Sequence, residues 1–356
     1  MTISEIAAKA GVSAATVSRV LNGKGHVKDS TRQQILHVIR QNEYVPSEIA
    51  RGLSKSDSNN IGVFVTDIEN PFFSKAVRGI AEKADLYGYN VFLFNTDEDP
   101  EKEHRYLQTV LGLRIKGLII SPVFETDDET RLRLQRMQER GVPVVLLDRD
   151  IRGLPLDGVF SEDEEGAYQA VRSLILAGHR RIAIVTGPDY TRPGRERTAG
   201  YRRALEEFGL PLEAAYIRHG NFRSDLSYLC TKELLHLPQP PTAVFCASNM
   251  TTIGALKYLS EQRLQVGRDI SIISFDHVEY LDCVGLSLTA VERSYDEMGR
   301  QAMELLQKQL TSSANPPGGP VSIKRRRWMC KAQSNWRPCP RHLPGYDGAP
   351  CNGMLK

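Results

Sequence analysis

Between residues 61 and 323 the chain alternates short apolar runs with helical patterns, and this alternation constrains its fold more than any other feature. IGVFVT (61–66), NVFLFN (90–95), GLIIS (117–121), VPVVLLD (142–148) and DGVF (157–160) are buried strand candidates. Helical patterns fall near 72–88, 101–115, 128–141 and 163–178. The pattern then restarts with RIAIVT (181–186), AYIRH (215–219), TAVFCAS (242–248) and ISIISFD (270–276), with helices near 195–209, 224–236, 252–264 and 295–310. A strand apolar along its whole length must be covered on both faces, and strands that alternate with helices pair in parallel. Two such runs predict two similar doubly wound α/β lobes. No GxGxxG follows either first strand, so a dinucleotide site is disfavoured.

The 356 residues and 41% hydrophobic content allow two or three domains with real cores. No apolar run is long enough to span a bilayer, and Glu5 and Lys9 interrupt any signal-peptide pattern, so no membrane association and a cytoplasmic location are expected. Six cysteines without paired spacing read as reduced thiols. The net charge of +3 is unevenly spread: +3 over residues 1–60, −7 over 61–323 and +7 over 324–356. The acidic middle would be repelled by nucleic acid, and only the head suits phosphates in both charge and shape.

That head opens with TISEIAAKAGVSAATVSRVLNG (2–23). Thr2 and Glu5 form a capping box that starts a helix near Ile3, and Gly11 stops it where a positive φ is needed. Ser13 caps a second helix, whose inner face is Val17, Val20 and Leu21 and whose outer face is Ala14, Ala15, Thr16, Ser18, Arg19 and Asn22. Small residues let a backbone approach DNA, and Arg19 can donate two hydrogen bonds to guanine O6 and N7. On its own the pattern is equally open to a helix-turn-helix and to a helical hairpin with a solvated face. A third helix follows, with Asp29 as its expected cap and Ile35, Val38 and Ile39 packed against the first two.

AAKAGVSAATVSRVLNG, followed by Tyr44-Val45-Pro46 and an Ala-Arg-Gly-Leu segment, resembles the N-terminal domain of the LacI/GalR family of bacterial transcriptional regulators over positions 2–55. The resemblance implies an all-α helix-turn-helix domain at 1–46, with Ala14, Ala15 and Arg19 reading bases and Thr16, Ser18, Asn22, His26 and Thr31 contacting phosphates. The family usually carries Ser where this chain has Lys28, so the cap of the third helix has shifted or been lost. It also implies a hinge helix and linker at 47–60, folding when two subunits meet on DNA, with Leu53 as a minor-groove wedge. Read alone, 47–60 is a polar linker too short to be a stable helix.

The core resembles the same family's regulatory domain and the periplasmic sugar-binding proteins. Asn70-Pro71-Phe72-Phe73, Gly88-Tyr89-Asn90, Leu147-Asp148-Arg149, Arg195-Glu196-Arg197-x-x-Gly200-Tyr201, Asn221-Phe222 and Phe275-Asp276 carry this resemblance, and all but Gly88-Tyr89-Asn90 fall at or just after strand ends. It implies a two-lobed effector-binding and dimerisation core at 61–323. Asn70 belongs to the implied effector set. Phe72, Phe73 and Phe222 would wall the site, Asp148 and Asp276 would accept from hydroxyls, and Arg149 and Arg197 would donate.

Two departures bear on the ligand. Ser248-Asn249 stands where the family has Asn-Asp, so a hydroxyl-binding amide is either replaced by Ser248 or displaced onto Asn249. Arg293 stands where ribose-type binders have Gln. Arg149, Arg197 and Arg293 together predict a cationic pocket for a sugar acid or sugar phosphate; the alternative turns Arg293 outward toward Glu292 or Asp296.

The resemblance stops after the helix at 295–310. The basic stretch 324–356 has no periodicity, and its Cys330, Cys339, Cys351 and His342 lack zinc-ligand spacing. A DNA-contacting arm is one reading of it, and a disordered terminus without the family's closing strand is the favoured one.

These features predict a homodimeric repressor of sugar or sugar-acid genes, bound to a near-palindromic operator and controlled by a carbohydrate-type effector. No cofactor, metal site or catalytic group is expected. A transport solute-binding protein is a rival disfavoured by the head. An enzyme is disfavoured because no nucleophile–base pair or phosphate loop is present.

Overall fold

The computed structural model describes residues 1–22, 26–42, 58–312, 326–328 and 331–332. The chain divides into two compact units, Met1–Ser58 and Asn59–Lys356. The expected hinge residue Leu53, most of 47–60 and most of 324–356 lie outside the described residues.

The first unit holds α1 (Ile3–Lys9), α2 (Ala14–Asn22) and α3 (Asp29–Gln41). The predicted capping box is present: the Glu5 amide donates to the Thr2 hydroxyl at 3.3 Å, and the Thr2 amide donates to the Glu5 carboxylate at 2.8 Å. Gly11 turns the chain at φ 60°. Fully buried Ile6, Val17 and Ile35, one from each helix, centre a small core. The third helix departs from expectation, because its N-cap is Lys28, whose side chain makes no capping bond, and Asp29 is already helical. There its charge still favours the positive helix end.

The second unit contains two lobes of one plan. The first runs β1 (Asn60–Val65), α4 (Pro71–Leu86), β2 (Asn90–Asn95), α5 (Pro100–Gly112), β3 (Gly117–Ile120), α6 (Asp128–Glu139), β4 (Val144–Leu147) and β5 (Gly158–Ser161). After α7 (Asp163–Leu176), the second runs β6 (Ile182–Thr186), α8 (Arg192–Glu207), β7 (Ile217–His219), α9 (Ser224–Leu235), β8 (Ala243–Cys246), α10 (Asn249–Glu261), β9 (Ser271–Phe275), α11 (Glu279–Asp282) and β10 (Thr289–Glu292). The chain closes with α12 (Tyr295–Thr311) and two short strands, β11 (Arg326–Trp328) and β12 (Lys331–Ala332). The sheets are ordered β11-β5-β4-β3-β1-β2 and β12-β10-β9-β8-β6-β7, and their first ten strands pair in parallel.

The repetition extends to single residues. Leu147 is in register with Val159 as Phe275 is with Val291, so Asp148 and Asp276 are equivalent. Their amides donate to Val159 and Val291 at the same 2.9 Å, and their φ angles are 65° and 72°. By the same register Ser161 is equivalent to Arg293. The chain crosses from one lobe to the other just after each of these: α7 packs on α8, and α12 on α4. Both helix pairs touch backbone to backbone. A Cβ on Gly79 would lie 2.0 Å from the Asp296 carbonyl oxygen, and one on Gly200 would lie 2.1 Å from that of Glu164.

Three features correct the sequence reading. β2, expected as a buried strand, lies at a sheet edge and holds no buried residue. β10 carries only four residues and was not anticipated as a strand. The tail was expected to lack strands, yet 326–328 pairs in parallel with β5 and 331–332 antiparallel with β10. Each sheet thus gains a sixth strand. Pairing of two or three residues with an open sheet edge uses backbone groups alone, which leaves no side-chain periodicity to read.

Candidate ligand cleft and nucleic-acid face

The C-terminal ends of both sheets face one small cavity, where about 50 Å³ is left open. Residues at strand ends form it because an open α/β sheet presents its loops there. Of the predicted effector residues, Asn70, Phe72, Phe73, Asp148, Arg149, Arg197, Phe222, Ser248, Asp276 and Arg293 all line it. Asn249 does not; its side-chain Nδ2 donates instead to Asn70 Oδ1 at 3.0 Å, tying one lobe to the other. Ser248 caps α10, accepting from the Thr251 amide at 3.1 Å. Asn70 caps α4 through the Phe72 amide at 3.0 Å. Both capping side chains therefore serve the fold as well as the cleft.

The apolar walls come from both lobes. Phe72 meets Phe73 and Tyr295 edge-on at 4.8 and 5.4 Å. Phe222 sits in a left-handed turn, with φ 57° following 49° at Asn221. Its ring covers Gly187, where a Cβ would come within 2.0 Å of it. Any side chain at 187 would evict the ring.

The predicted cationic pocket is not what these residues form. Arg149 donates two bonds to Glu98 at 2.8 and 2.6 Å. Arg197 is held by fully buried Asp163 at 2.8 Å and donates to the Ala247 carbonyl at 2.7 Å, with its guanidinium 3.7 Å over the Phe275 ring. Arg293 is the most committed. It donates from Nε and Nη2 to the two oxygens of Asp276 at 2.7 and 3.0 Å, and from Nη1 to Asp148 and to the Ser161 hydroxyl, the latter at 3.0 Å. It lies 4.1 Å over the Phe72 ring and is 3% exposed. The outward alternative, toward Glu292 or Asp296, is likewise not adopted. Burial opposes charge on Asp148, but Arg293 and Arg197 outweigh it and hold its carboxyl below the usual range. Burial opposes charge on Arg293 too, and Asp276 and Asp148 reverse this, holding the guanidinium proton tightly.

Five carboxylates and four guanidiniums line the cavity, so the arginines are neutralised within the protein. Sequence reasoning missed Glu98, Asp163, Ser161, Asp67, Asp97 and Arg223. Glu98 and Asp163 follow strand ends as the recognised residues do. That position was the available signal; their pairing with Arg149 and Arg197 spans 51 and 34 residues.

In the first unit, Ala14, Ala15 and Arg19 are exposed on α2, with Thr16 and Ser18 half-buried on the same helix. His26 is exposed and Thr31 half-buried. The Asn22 side chain lies outside the description. Among the described residues no group of acidic, His or Cys side chains is placed to hold a metal, and no helix is long and apolar enough to cross a membrane.

A three-helix unit that exposes Ala14, Ala15 and Arg19, joined to two doubly wound lobes around a cavity lined by carboxylates, guanidiniums and aromatic rings, defines a ligand-responsive regulator. Residues 2–47 match the bacterial regulatory proteins of the lacI family, and residues 58–318 match the periplasmic binding proteins and sugar binding domain of the LacI family. The chain is 35% identical over 309 residues to catabolite control protein A of Priestia megaterium, covering 86% of this chain and 92% of that one. It is 33% identical over 310 residues to the transcriptional repressor PurR of Haemophilus influenzae, covering 87% and 91%. The lac repressor dimer bound to operator and the anti-inducer ONPF superposes with a TM-score of 0.77 at 26% identity, over 93% of this chain and 98% of that one. The chain belongs to the LacI family of bacterial regulatory proteins, and it is a transcriptional regulator rather than an enzyme.

Proposed function

We propose that the protein is a homodimeric repressor that binds a near-palindromic operator through α2 and is controlled by a carbohydrate-type effector in the cleft between its lobes. One observation carries this reading: a single chain joins an exposed Ala14-Ala15-Arg19 face to a cavity flanked by two equivalent aspartates, Asp148 and Asp276. Arg19 reads a base edge, while Thr16, Ser18, Asn22, His26 and Thr31 fix the register on phosphates. One α2 covers only a half-site, so two copies are required. Exposed Leu86, Phe92 and Leu93, at and beside the edge strand β2, support pairing with a second copy. Leu53 would wedge the minor groove between the two half-sites. Such a protein works in the cytoplasm, where its operator lies. The domain limits 1–46, 47–60 and 61–323 go with this division of labour, with 326–328 and 331–332 joining the sheets of the core.

The effector acts by linkage: it must bind two arrangements of the lobes with different affinity. The neutralised cleft favours an uncharged sugar over a sugar acid or sugar phosphate. A gel shift with the DNA upstream of the protein's own gene, repeated with neutral sugars, anionic sugars and purine bases, tests the reading. A sequence-specific shift altered by a neutral sugar supports it. Absence of binding to any duplex at low salt overturns it.

A further inference from the structure

The Arg293 guanidinium lies where the acceptors of both lobes converge. Asp148 and Asp276 are equivalent carboxylates, one from each sheet, and these are the groups with which a cleft of this form would accept hydroxyl hydrogens. Arg293 takes three of their four oxygens and also donates to Ser161, its own counterpart in the first lobe. That Ser is small enough to leave room for the guanidinium; a long side chain there would meet it. The stack is filled from below by Phe72 and flanked by Phe275 and Tyr295, 5.7 and 5.8 Å away. Of the five guanidinium hydrogens, these bonds engage four. The space beside it, about 50 Å³, is far below the roughly 300–1,000 Å³ of an ordinary small-molecule site.

Arg293 also sits on a crossover, between β10 of the second lobe and α12 of the first. Its bonds to Asp276 are within one lobe, and its bonds to Asp148 and Ser161 span the two. Around it the lobes meet through the Asn70–Asn249 bond, the Glu125–Arg195 ion pair and the Phe124 and Tyr190 rings at 4.4 Å. Asn70 lines the same cavity as the Asp148–Arg293–Asp276 bridge.

We propose that Arg293 is a built-in ligand: a guanidinium of the chain itself that occupies the hydroxyl-accepting carboxylates, latches the lobes together and fixes which effectors are admitted. This deepens the reading of the cleft as an effector site and rests on it. An anionic effector gains little, because freeing Arg293 to meet it exposes Asp148 and Asp276 to the same negative charge. An uncharged polyol can hydrogen-bond to those carboxylates while Arg293 swings aside, so entry is a competition between sugar hydroxyls and one side chain. Chains with an uncharged amide at this place would face no such competition.

Hydrogen exchange of the ligand-free full-length protein, with calorimetric titration of neutral and anionic sugars, tests this. In Arg293→Gln, amides at 122–126 and 189–196 should exchange at least tenfold faster while the central strands of both sheets stay protected. Neutral sugars should bind the variant at least tenfold more tightly than the parent protein, and anionic sugars should gain nothing comparable. Asp148→Ala removes the charged contact between lobes, leaves the Arg293–Asp276 fork and the weaker Ser161 bond in place, and should speed exchange in the same segments; it serves if Arg293→Gln does not fold. Unchanged exchange in both variants, or tighter binding of an anionic sugar than of any neutral one by the parent protein, overturns the proposal. Faster exchange without sugar binding by any form supports the latch and overturns the reading of the cleft as a sugar site.

Discussion

The two lobes carry the same carboxylate at the same place, Asp148 and Asp276, and differ in what stands opposite: Ser161 in the first lobe, Arg293 in the second. A repeated fold would by itself give two facing negative charges across a narrow cleft, a costly arrangement in a dry interior. One asymmetric residue resolves it, since the guanidinium serves both carboxylates and the serine gives it space. A second pair repeats the lesson. Position four of the helix after the second strand is Glu103 in the first lobe and Ser227 in the second, and both are fully buried. Glu103 accepts from the Val123 amide at 2.9 Å and the Thr130 hydroxyl at 2.6 Å, and Ser227 donates to the Thr251 carbonyl at 2.6 Å. Each ties its helix to the segment beyond the third strand, one with a group that titrates and one with a group that does not. Equivalent positions thus conserve the job of bridging while the chemistry that does it diverges.

The largest expected effect comes from breaking the central bridge. Arg293→Leu leaves Asp148 and Asp276 buried without the counter-charge they share and should destabilise the core by about 3–5 kcal/mol in urea melts at neutral pH. Adding Asp148→Asn should return a large part of that loss. If the second change gives no recovery, the two aspartates do not act as one facing pair.

Lobe asymmetry should also show in the pH dependence. Burial pushes the Glu103 carboxyl up to about 7. Its folded value lies above its unfolded one, so the folded state holds the proton more tightly between about pH 4.5 and 7. Its stabilising contribution is therefore fully present below about pH 4.5 and is lost as pH rises to about 7, on the order of 3 kcal/mol. Glu103→Gln should flatten that slope in melts taken from pH 5 to 8, whereas Ser227→Ala should shift every point alike.

Where the lobes are alike, mutations should act alike. Gly79→Ala and Gly200→Ala each force a Cβ into a facing helix backbone and should each cost about 1–3 kcal/mol. A difference larger than that range between the two would show that α4–α12 and α7–α8 are not equivalent packings. The smallest effect on stability belongs to the other unit. Arg19→Ala should leave thermal unfolding unchanged, because the side chain is exposed, and should weaken specific DNA binding by about 1–3 kcal/mol in a titration.

Much of this was legible without coordinates, for physical reasons. The Thr2–Glu5 box, Gly11 and the Val17-Val20-Leu21 stripe are local patterns, and local hydrogen bonding and periodicity suffice to place such helices. The buried strands announced themselves because a strand covered on both faces must be apolar throughout. β10 and the two tail strands did not, since two to four residues borrowing a sheet edge carry no pattern of their own. Asp29 looked like a cap because the residue type fits. The backbone enters the helix one residue earlier, at Lys28, and only the path of the loop decides that.

The sequence by itself determined the chemistry present at the strand ends: two aspartates, three arginines and three phenylalanines arriving together in one cleft. Their net effect was decided by tertiary structure alone. Whether an arginine is a free donor or a neutralised one depends on carboxylates that lie 17, 34, 51 or 145 residues away in the chain. Coulomb interaction depends on distance in space and on burial, and neither is written in the spacing of the residues.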